Sequence, residues 1–165
     1  MINLHPFTNK DFDRLINWIN SEEELVQFAG PMFSFPLTKN QLEEYVNKEG
    51  ILPKIVIDSE SGEVIGHCEL NFVNEFPRLG KILIGNKSYR GKGLGNDLVE
   101  LMISEIKKIE SSEKVELKVY ERNTTAVNLY TKKGFVIQPE HTYDFEIPNG
   151  EFWTNLYMTK EFNKA

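Results

Sequence analysis

The spacing of apolar residues is helical in the first quarter of the chain. After a short apolar segment, "INLHPF" at residues 2–7, the residues Phe12, Leu15, Ile16 and Ile19 recur three or four positions apart. This spacing puts apolar side chains on one face of an α-helix. The pattern predicts a short first strand followed by helical structure.

Three polar pairs indicate where the N-terminal helices begin. In each pair, a Ser or Thr can accept a hydrogen bond from the backbone N–H three residues later, and an acidic or amide side chain at that position can reach back. The pairs are Thr8 with Asp11, Ser21 with Glu24, and Thr38 with Gln41. We therefore predict three helix starts, with the turn-rich "GPMFSFP" between the second and the third.

From Lys54 onward the apolar residues follow the period of β-strands. The segments "KIVID", "EVIGHCELNFV" and "LGKILIG" are separated by turn-forming residues and are predicted to be antiparallel neighbours. In the second segment, alternation puts His67, Glu69 and Asn71 on one face and the apolar or thiol side chains on the other.

A long amphipathic helix is predicted next, because one face carries apolar residues at helical spacing. These are Leu94, Leu98, Leu101, Met102, Ile106 and Ile109. The strand "KVELKVYE" follows, and a strand, a helix and a strand of these lengths form a right-handed crossover that joins parallel strands.

The C-terminal third contains a short helix and two closing strands. Asn123 can cap the helix "TTAVNLYTKK", Gly134 ends it, and "FVIQP" and "EFWTNLYMTK" supply the strands. Residues 1–165 are thus predicted to form a single α+β domain. Its mixed, mostly antiparallel sheet contains one parallel crossover and is flanked by helices.

Composition narrows the class of protein. The formal charge of −6 argues against a nucleic-acid binder, because affinity for a phosphate backbone needs a basic surface. A single cysteine, Cys68, favours a reducing compartment. With no signal pattern and no long apolar run, the chain is predicted to be cytoplasmic and not bound to a membrane. Its three histidines lack ligand spacing, so no metal is expected.

The stretch "YRGKGLGN", residues 89–96, lies between a predicted strand and the long helix. Glycines at every second position expose backbone, and the first turn of a helix offers unpaired N–H groups with partial positive charge. Arg90 and Lys92 add charge, so the loop is predicted to bind an anion, with phosphate favoured. The alternative is a tight turn without a ligand. The Walker and Rossmann phosphate motifs do not match here.

Two motifs, in order, resemble the GNAT superfamily of N-acetyltransferases. Arg90, Gly93 and Gly95 match the Arg-x-x-Gly-x-Gly of its acyl-CoA pyrophosphate loop. A second segment of that superfamily, Asn-x-x-Ala-x-x-x-Tyr-x-Lys-x-Gly-Phe, is matched at Asn123, Ala126, Tyr130, Lys132, Gly134 and Phe135. The resemblance implies a fold in which "KILIG" and "KVELKVY" splay apart to admit the pantetheine arm of the cofactor.

The resemblance also implies which groups bind acetyl-CoA. Backbone groups of Leu83, Ile84 and Gly85 would pair with the pantetheine arm, and an N–H near Ile84 would stabilise the oxygen that gains charge. Asn123 would hold the cofactor, cap its helix, or do both. The pyrophosphate would be bound by the loop residues Arg90, Gly91, Lys92, Gly93, Leu94, Gly95 and Asn96.

Tyr130 is the implied general acid, since the matching tyrosine of the superfamily protonates the departing thiolate. The alternative is a core tyrosine at helical spacing. Some members of the superfamily have a glutamate where this chain has Lys118. We therefore predict Glu69 as the base, with His67 or a merely polar strand face as alternatives. Cys68 is expected to be a buried, inert thiol.

The predicted function is transfer of an acetyl group from acetyl-CoA to a primary amine of a small molecule or peptide by direct attack. A non-catalytic acyl-CoA-binding or sensing module is the alternative, and a homodimer is compatible with the resemblance. Acidic helix residues would either attract a cationic acceptor or form a solvated face; these are Glu22, Glu23, Glu24, Glu43 and Glu44. Aromatic side chains would either line the acceptor pocket or pack in the core; these are Trp18, Phe28, Phe33, Tyr143, Phe145 and Trp153.

Overall fold

The computed structural model describes residues 1–162, so the last three residues of the predicted domain lie outside it. The helices are α1 (Phe12–Trp18), α2 (Glu22–Ala29), α3 (Lys39–Val46), α4 (Leu94–Ile109) and α5 (Thr124–Lys132). The strands are β1 (Ile2–Pro6), β2 (Ile51–Asp58), β3 (Val64–Asn71), β4 (Arg78–Ile84), β5 (Lys114–Tyr120), β6 (Val136–Ile137), β7 (Tyr143–Glu146) and β8 (Phe152–Glu161). No helix among the described residues is long and apolar enough to cross a membrane.

The sheet has the strand order β1-β2-β3-β4-β5-β8-β6, with β7 paired to β8. All pairs are antiparallel except β4 with β5, which the crossover helix α4 joins in parallel. The predicted fold class is therefore confirmed. The prediction missed β7, because its four residues are too few to show an alternating pattern.

The predicted helix starts are present, but among the three predicted capping boxes only the first is reciprocal. Thr8 and Asp11 form the full reciprocal box, although a 3₁₀ turn precedes α1. Ser21 accepts from the N–H of Glu24, but the Glu24 carboxylate accepts from Asn20 instead of Ser21. Thr38 likewise accepts from the N–H of Gln41, but the Gln41 side-chain oxygen accepts from the N–H of Ser34. Each cap satisfies backbone donors that a helix start leaves unpaired.

Helices α1 to α3 bury an apolar cluster of their own against one face of the sheet. On the other face, α4 and α5 pack over β3, β4, β5 and β8. The predicted apolar face of α4 is correct for Leu98, Met102 and Ile106, which are fully buried. It is wrong for Ile109, the last residue of the helix, which is 53% exposed.

The central strands β4 and β5 separate soon after they begin. Their paired residues are Arg78 with Glu116 and Leu79 with Leu117, although β4 continues to Ile84. Beyond Leu79, the β5-facing side of β4 therefore carries backbone groups that pair with no strand among residues 1–162. This opening is the splay that the sequence resemblance implies.

Candidate functional site

Two cavities meet at the opening between β4 and β5. The first, the glycine-loop cavity, has a volume of about 580 Å³ and extends from α1 and β4 to the start of α4 and to α5. The second, the sheet cavity, has about 550 Å³ and lies over β3, β4 and β5. Five residues line both cavities and mark their junction: Gln27, Phe28, Ile82, Asn123 and Tyr130.

The glycine loop opens into the first cavity. Gly91 and Gly93 have left-handed φ angles of 75° and 77°, and a Cβ added at either would meet no atom within 4 Å. Gly93 is the N-cap of α4 and supplies no side chain to the unpaired N–H groups of its first turn. Those donors and the positive end of a 16-residue helix suit an anion.

Most of the predicted cofactor-binding residues line this cavity, and two do not. The lining includes ten of them: Leu83, Ile84, Arg90, Gly91, Gly93, Leu94, Gly95, Asn96, Asn123 and Tyr130. Lys92 and Gly85 are not in the lining. The Lys92 ammonium lies 5.5 Å from the centre of the Tyr89 ring instead. Gly85 leaves room for Trp18, since an added Cβ would lie 1.9 Å from the indole Cδ2.

Arg90 fixes the loop to the end of β4. Its Nε donates a hydrogen bond of 2.7 Å to the carbonyl oxygen of Ile84. The rest of the guanidinium can still face an anion, because Arg carries five N–H donors. The contact joins the two backbone segments that the resemblance assigns to the cofactor.

Tyr130 lies at the junction of the two cavities with only 7% of its surface exposed. Burial raises the pKa of its phenol to about 12, so the hydroxyl keeps its proton at neutral pH. The side chain of Asn123 accepts from the Ala126 N–H at 3.3 Å, which confirms the predicted helix cap. Asn123 also lines both cavities, so the same side chain can contact a cofactor as well.

Glu69 lies in the lining of the sheet cavity at the centre of a buried polar network. Its Oε1 accepts from Tyr45 at 2.7 Å and from the Lys81 ammonium at 2.9 Å, and its Oε2 accepts from Asn71 at 3.1 Å. Burial alone would raise the pKa of this carboxyl, but Lys81 and the hydrogen bonds outweigh burial and lower it. Glu69 is therefore a charged, well-satisfied carboxylate.

A β-bulge brings Lys81 into this network. The pairing of β3 with β4 shifts register between His67 and Glu69, opposite Lys81. Lys81 has a φ of 46°, which is rare for a residue with a side chain. The ion pair and the position of the Lys81 ammonium 5.2 Å from the Tyr45 ring centre offset that strain.

We expect Glu69→Gln to lower the free energy of unfolding by about 3 kcal/mol at pH 7, because it leaves the buried Lys81 without a carboxylate. Urea denaturation measures this. Since the pKa of Glu69 is lowered in the folded state, its ionised carboxylate stabilises the fold fully above pH 4.5, the ordinary value. This stabilisation is lost as the pH falls from there through the lowered pKa. The difference between the wild type and the variant should therefore shrink in acid.

The matched control for this substitution is Glu105→Gln on α4. Glu105 pairs with Lys108 at 3.2 Å, but the two side chains are 34% and 68% exposed. Such surface pairs contribute little, so the control should change stability by less than about 0.5 kcal/mol. Equal effects of the two substitutions would contradict the assignment of Glu69 as a buried structural ion.

His67 and Cys68 lie outside both cavity linings. Burial lowers the pKa of His67 to about 4, and its Nδ1 donates to the Lys81 carbonyl at 2.9 Å. The buried Nε2 has no hydrogen-bond partner in residues 1–162, and the imidazole packs edge-to-face with the rings of Phe7 and Phe28. Cys68 is fully buried, and burial raises the pKa of its thiol, as expected of an inert cysteine.

A family model described as "Acetyltransferase (GNAT) domain" matches residues 2–136. The chain belongs to the GNAT acetyltransferase family. Its fold is also that of solved structures. Spermidine N-acetyltransferase from Vibrio cholerae, in complex with CoA and spermine, has 23% identity and a TM-score of 0.78; the match covers 97% of this chain and 95% of that one.

Two further structures share the fold of this GNAT chain. An acetyltransferase of the GNAT family from Streptococcus pneumoniae has 23% identity and a TM-score of 0.70, with 98% and 100% of the two chains covered. The acetyltransferase AAC(6')-Ib, in complex with ribostamycin and coenzyme A, has 22% identity and a TM-score of 0.73, with 97% and 93% covered.

Sequence reasoning missed Tyr45, Asn71 and Lys81 of this GNAT chain as parts of the site. The signal for Lys81 was a cation in the middle of the apolar run "LGKILIG". Among the six aromatic candidates, Phe28 lines both cavities, Tyr143 lines the sheet cavity, and Trp18 lines the glycine-loop cavity. The other three belong to apolar clusters.

The acidic residues of the N-terminal helices do not lie at the sheet cavity. Of the five candidates, Glu24 alone lies in a cavity lining, that of the glycine-loop cavity. Its carboxylate accepts from the N–H of Asn20 at 2.6 Å. The geometry favours the solvated helix face for this set over an attraction of a cationic acceptor.

Proposed function

We propose that the protein transfers the acetyl group of acetyl-CoA to a primary amine of a small molecule or peptide. The observation that supports this proposal most directly is the position of Tyr130. Its protonated phenol lies where the glycine-loop cavity, with the predicted anion site at the start of α4, meets the sheet cavity. In this proposal acetyl-CoA occupies the glycine-loop cavity and the amine enters from the sheet cavity.

The unpaired side of β4 suits the pantetheine arm. Amide groups of the arm would take the place of a strand partner along Ile82 to Ile84, as in strand addition to a sheet edge. The N–H groups around Gly91 and Gly93 would bind the pyrophosphate, with Arg90 beside them. An N–H near Ile84 would face the thioester oxygen and stabilise its developing charge.

The transfer requires one bond to form and one to break. The neutral amine nitrogen forms a bond to the acetyl carbonyl carbon, and the carbon–sulfur bond breaks. Tyr130 donates its proton to the departing sulfur, and the proton lost by the nitrogen replaces it. Since a free thiol has a pKa of about 8.5, a hydrogen bond from a phenol stabilises the thiolate as it forms.

The base remains a prediction assigned to Glu69, acting through water. A carboxylate with a lowered pKa is a weak base, so the acceptor's own pKa matters. Deprotonation at pH 7 costs about 4.6 kcal/mol for a lysine-like amine and about 1.4 kcal/mol for an α-amine. The network around Glu69 therefore favours an acceptor whose amine loses its proton easily.

A thiol-release assay with acetyl-CoA and a panel of primary amines tests the proposal. We expect release of CoA thiol that depends on the amine, with an N-acetylated product detected by mass spectrometry. Calorimetry with CoA measures binding of the cofactor separately from turnover. Binding without turnover on any amine would favour the sensing module instead.

A further inference from the structure

Four cations and one carboxylate line the sheet cavity: Lys48, Arg78, Lys81, Lys118 and Glu69. Two of the cations are neutralised. Arg78 donates through Nε and Nη2 to Glu116, at 3.0 and 2.7 Å, and Lys81 pairs with Glu69 at 2.9 Å. Within residues 1–162, the other two cations have no carboxylate within 4.0 Å. The lining is thus positive in a chain whose formal charge is −6.

Lys118 is held at the cavity by an aromatic residue. Its ammonium lies 5.4 Å from the ring centre of Tyr143. In this cation–π contact, the face of the aromatic ring attracts the positive charge. The Tyr143 hydroxyl accepts from the Asn155 amide at 2.7 Å, and both of these residues also line the cavity. The Lys118 charge is therefore held beside the space that an acceptor would fill.

We propose that the sheet cavity selects a primary amine that also carries an anionic group, such as a carboxylate, and disfavours polycationic amines. The inference rests on the proposed function and names its acceptor class. The anion would lie near Lys118 and Lys48, and the amine would point toward Tyr130.

The same charges help the amine to react. An ammonium near like charges is destabilised relative to the neutral amine, and only the neutral form attacks. A polyamine would bring more positive charge into this lining and would gain no compensating carboxylate, since Glu69 is already paired. Lys118 stands where some members of the superfamily have a glutamate, so the sign of the charge at this position is reversed.

Matched amines test the selection. Each set keeps one amine-bearing scaffold and varies one group, which is a carboxylate, a neutral amide or a second ammonium. An example is a set of C-terminally amidated dipeptides whose second residue is Glu, Gln or Lys. We expect the carboxylate member of the preferred scaffold to have the highest kcat/KM, and added salt to lower that value. A preference for the ammonium member would overturn the inference while leaving the proposed function intact. Absence of turnover with every member would contradict the proposed function itself.

Variants of Lys118 assign the effect to this residue. Because Lys118 is exposed, Lys118→Gln should raise KM for the carboxylate amine by about fivefold and should lower kcat by a smaller factor. Lys118→Glu should raise this KM by about 25-fold, since the charge change doubles, and should favour the ammonium member.

Lys114→Glu is the matched control. Lys114 lies on the same strand about 13 Å away, beyond the screening length of about 8 Å, and its ammonium lies over Phe76. The control should leave the preference unchanged. An equal effect at both positions would overturn the assignment to Lys118.

Discussion

Gly93→Leu is expected to abolish binding of coenzyme A, with a rise in Kd of about 100-fold or more, equivalent to about 2.7 kcal/mol. Gly93 lines the cavity at the start of α4, and a Cβ added there would meet no atom of the described residues within 4 Å. The leucine would therefore occupy the space that the pyrophosphate needs. It would also strain a φ of 77°, at a cost of about 1–2 kcal/mol.

Gly62→Leu is the control that separates the loss of the anion site from the effect of backbone strain. Gly62 has a φ of 76° and equally open surroundings, but it lies in the turn between β2 and β3, outside both cavity linings. The two variants should lose similar stability in urea denaturation. Calorimetry should detect CoA binding by the control and none by Gly93→Leu. Retained binding by Gly93→Leu would contradict the loop as the pyrophosphate site.

Tyr130→Phe is expected to lower kcat by about 100-fold or more, the range of a lost general acid, while the Kd for CoA changes little. The substitution removes the hydroxyl alone and keeps the packing of the ring against Phe135, whose centre is 6.0 Å away. Steady-state kinetics with a saturating amine gives kcat, and calorimetry gives the Kd. Because burial raises the pKa of Tyr130 to about 12, loss of its proton should not reduce wild-type activity below about pH 11.

Tyr157→Phe is the control for loss of a phenol as such. Tyr157 lies on β8 outside both cavity linings, so its variant should keep wild-type kcat. Unchanged kcat in Tyr130→Phe would remove Tyr130 from the mechanism. A loss of CoA affinity equal to the loss of kcat would instead assign it to binding.

Much of the architecture was predictable because its signals are local. A capping residue and its partner are three positions apart, as at Thr8 and Thr38, so sequence alone indicates the helix start. The lengths of α4 and its flanking segments predict a parallel crossover, and that connection is present. The failures were β7, which is too short to show an alternating pattern, and Ile109, whose burial depends on segments that are distant along the chain.

The sequence by itself determined the element order, the glycine loop and the helix that carries Tyr130, because each depends on residues close together along the chain. The tertiary structure alone decided the state of the polar face of β3. Alternation put His67 and Glu69 on one face, but only α1 to α3 folding over that face buries them. Burial, together with the bulge that turns Lys81 toward Glu69, holds the predicted base in a buried ion pair. Coulomb energy depends on distance and on solvent exclusion, and both are set by segments far apart in sequence.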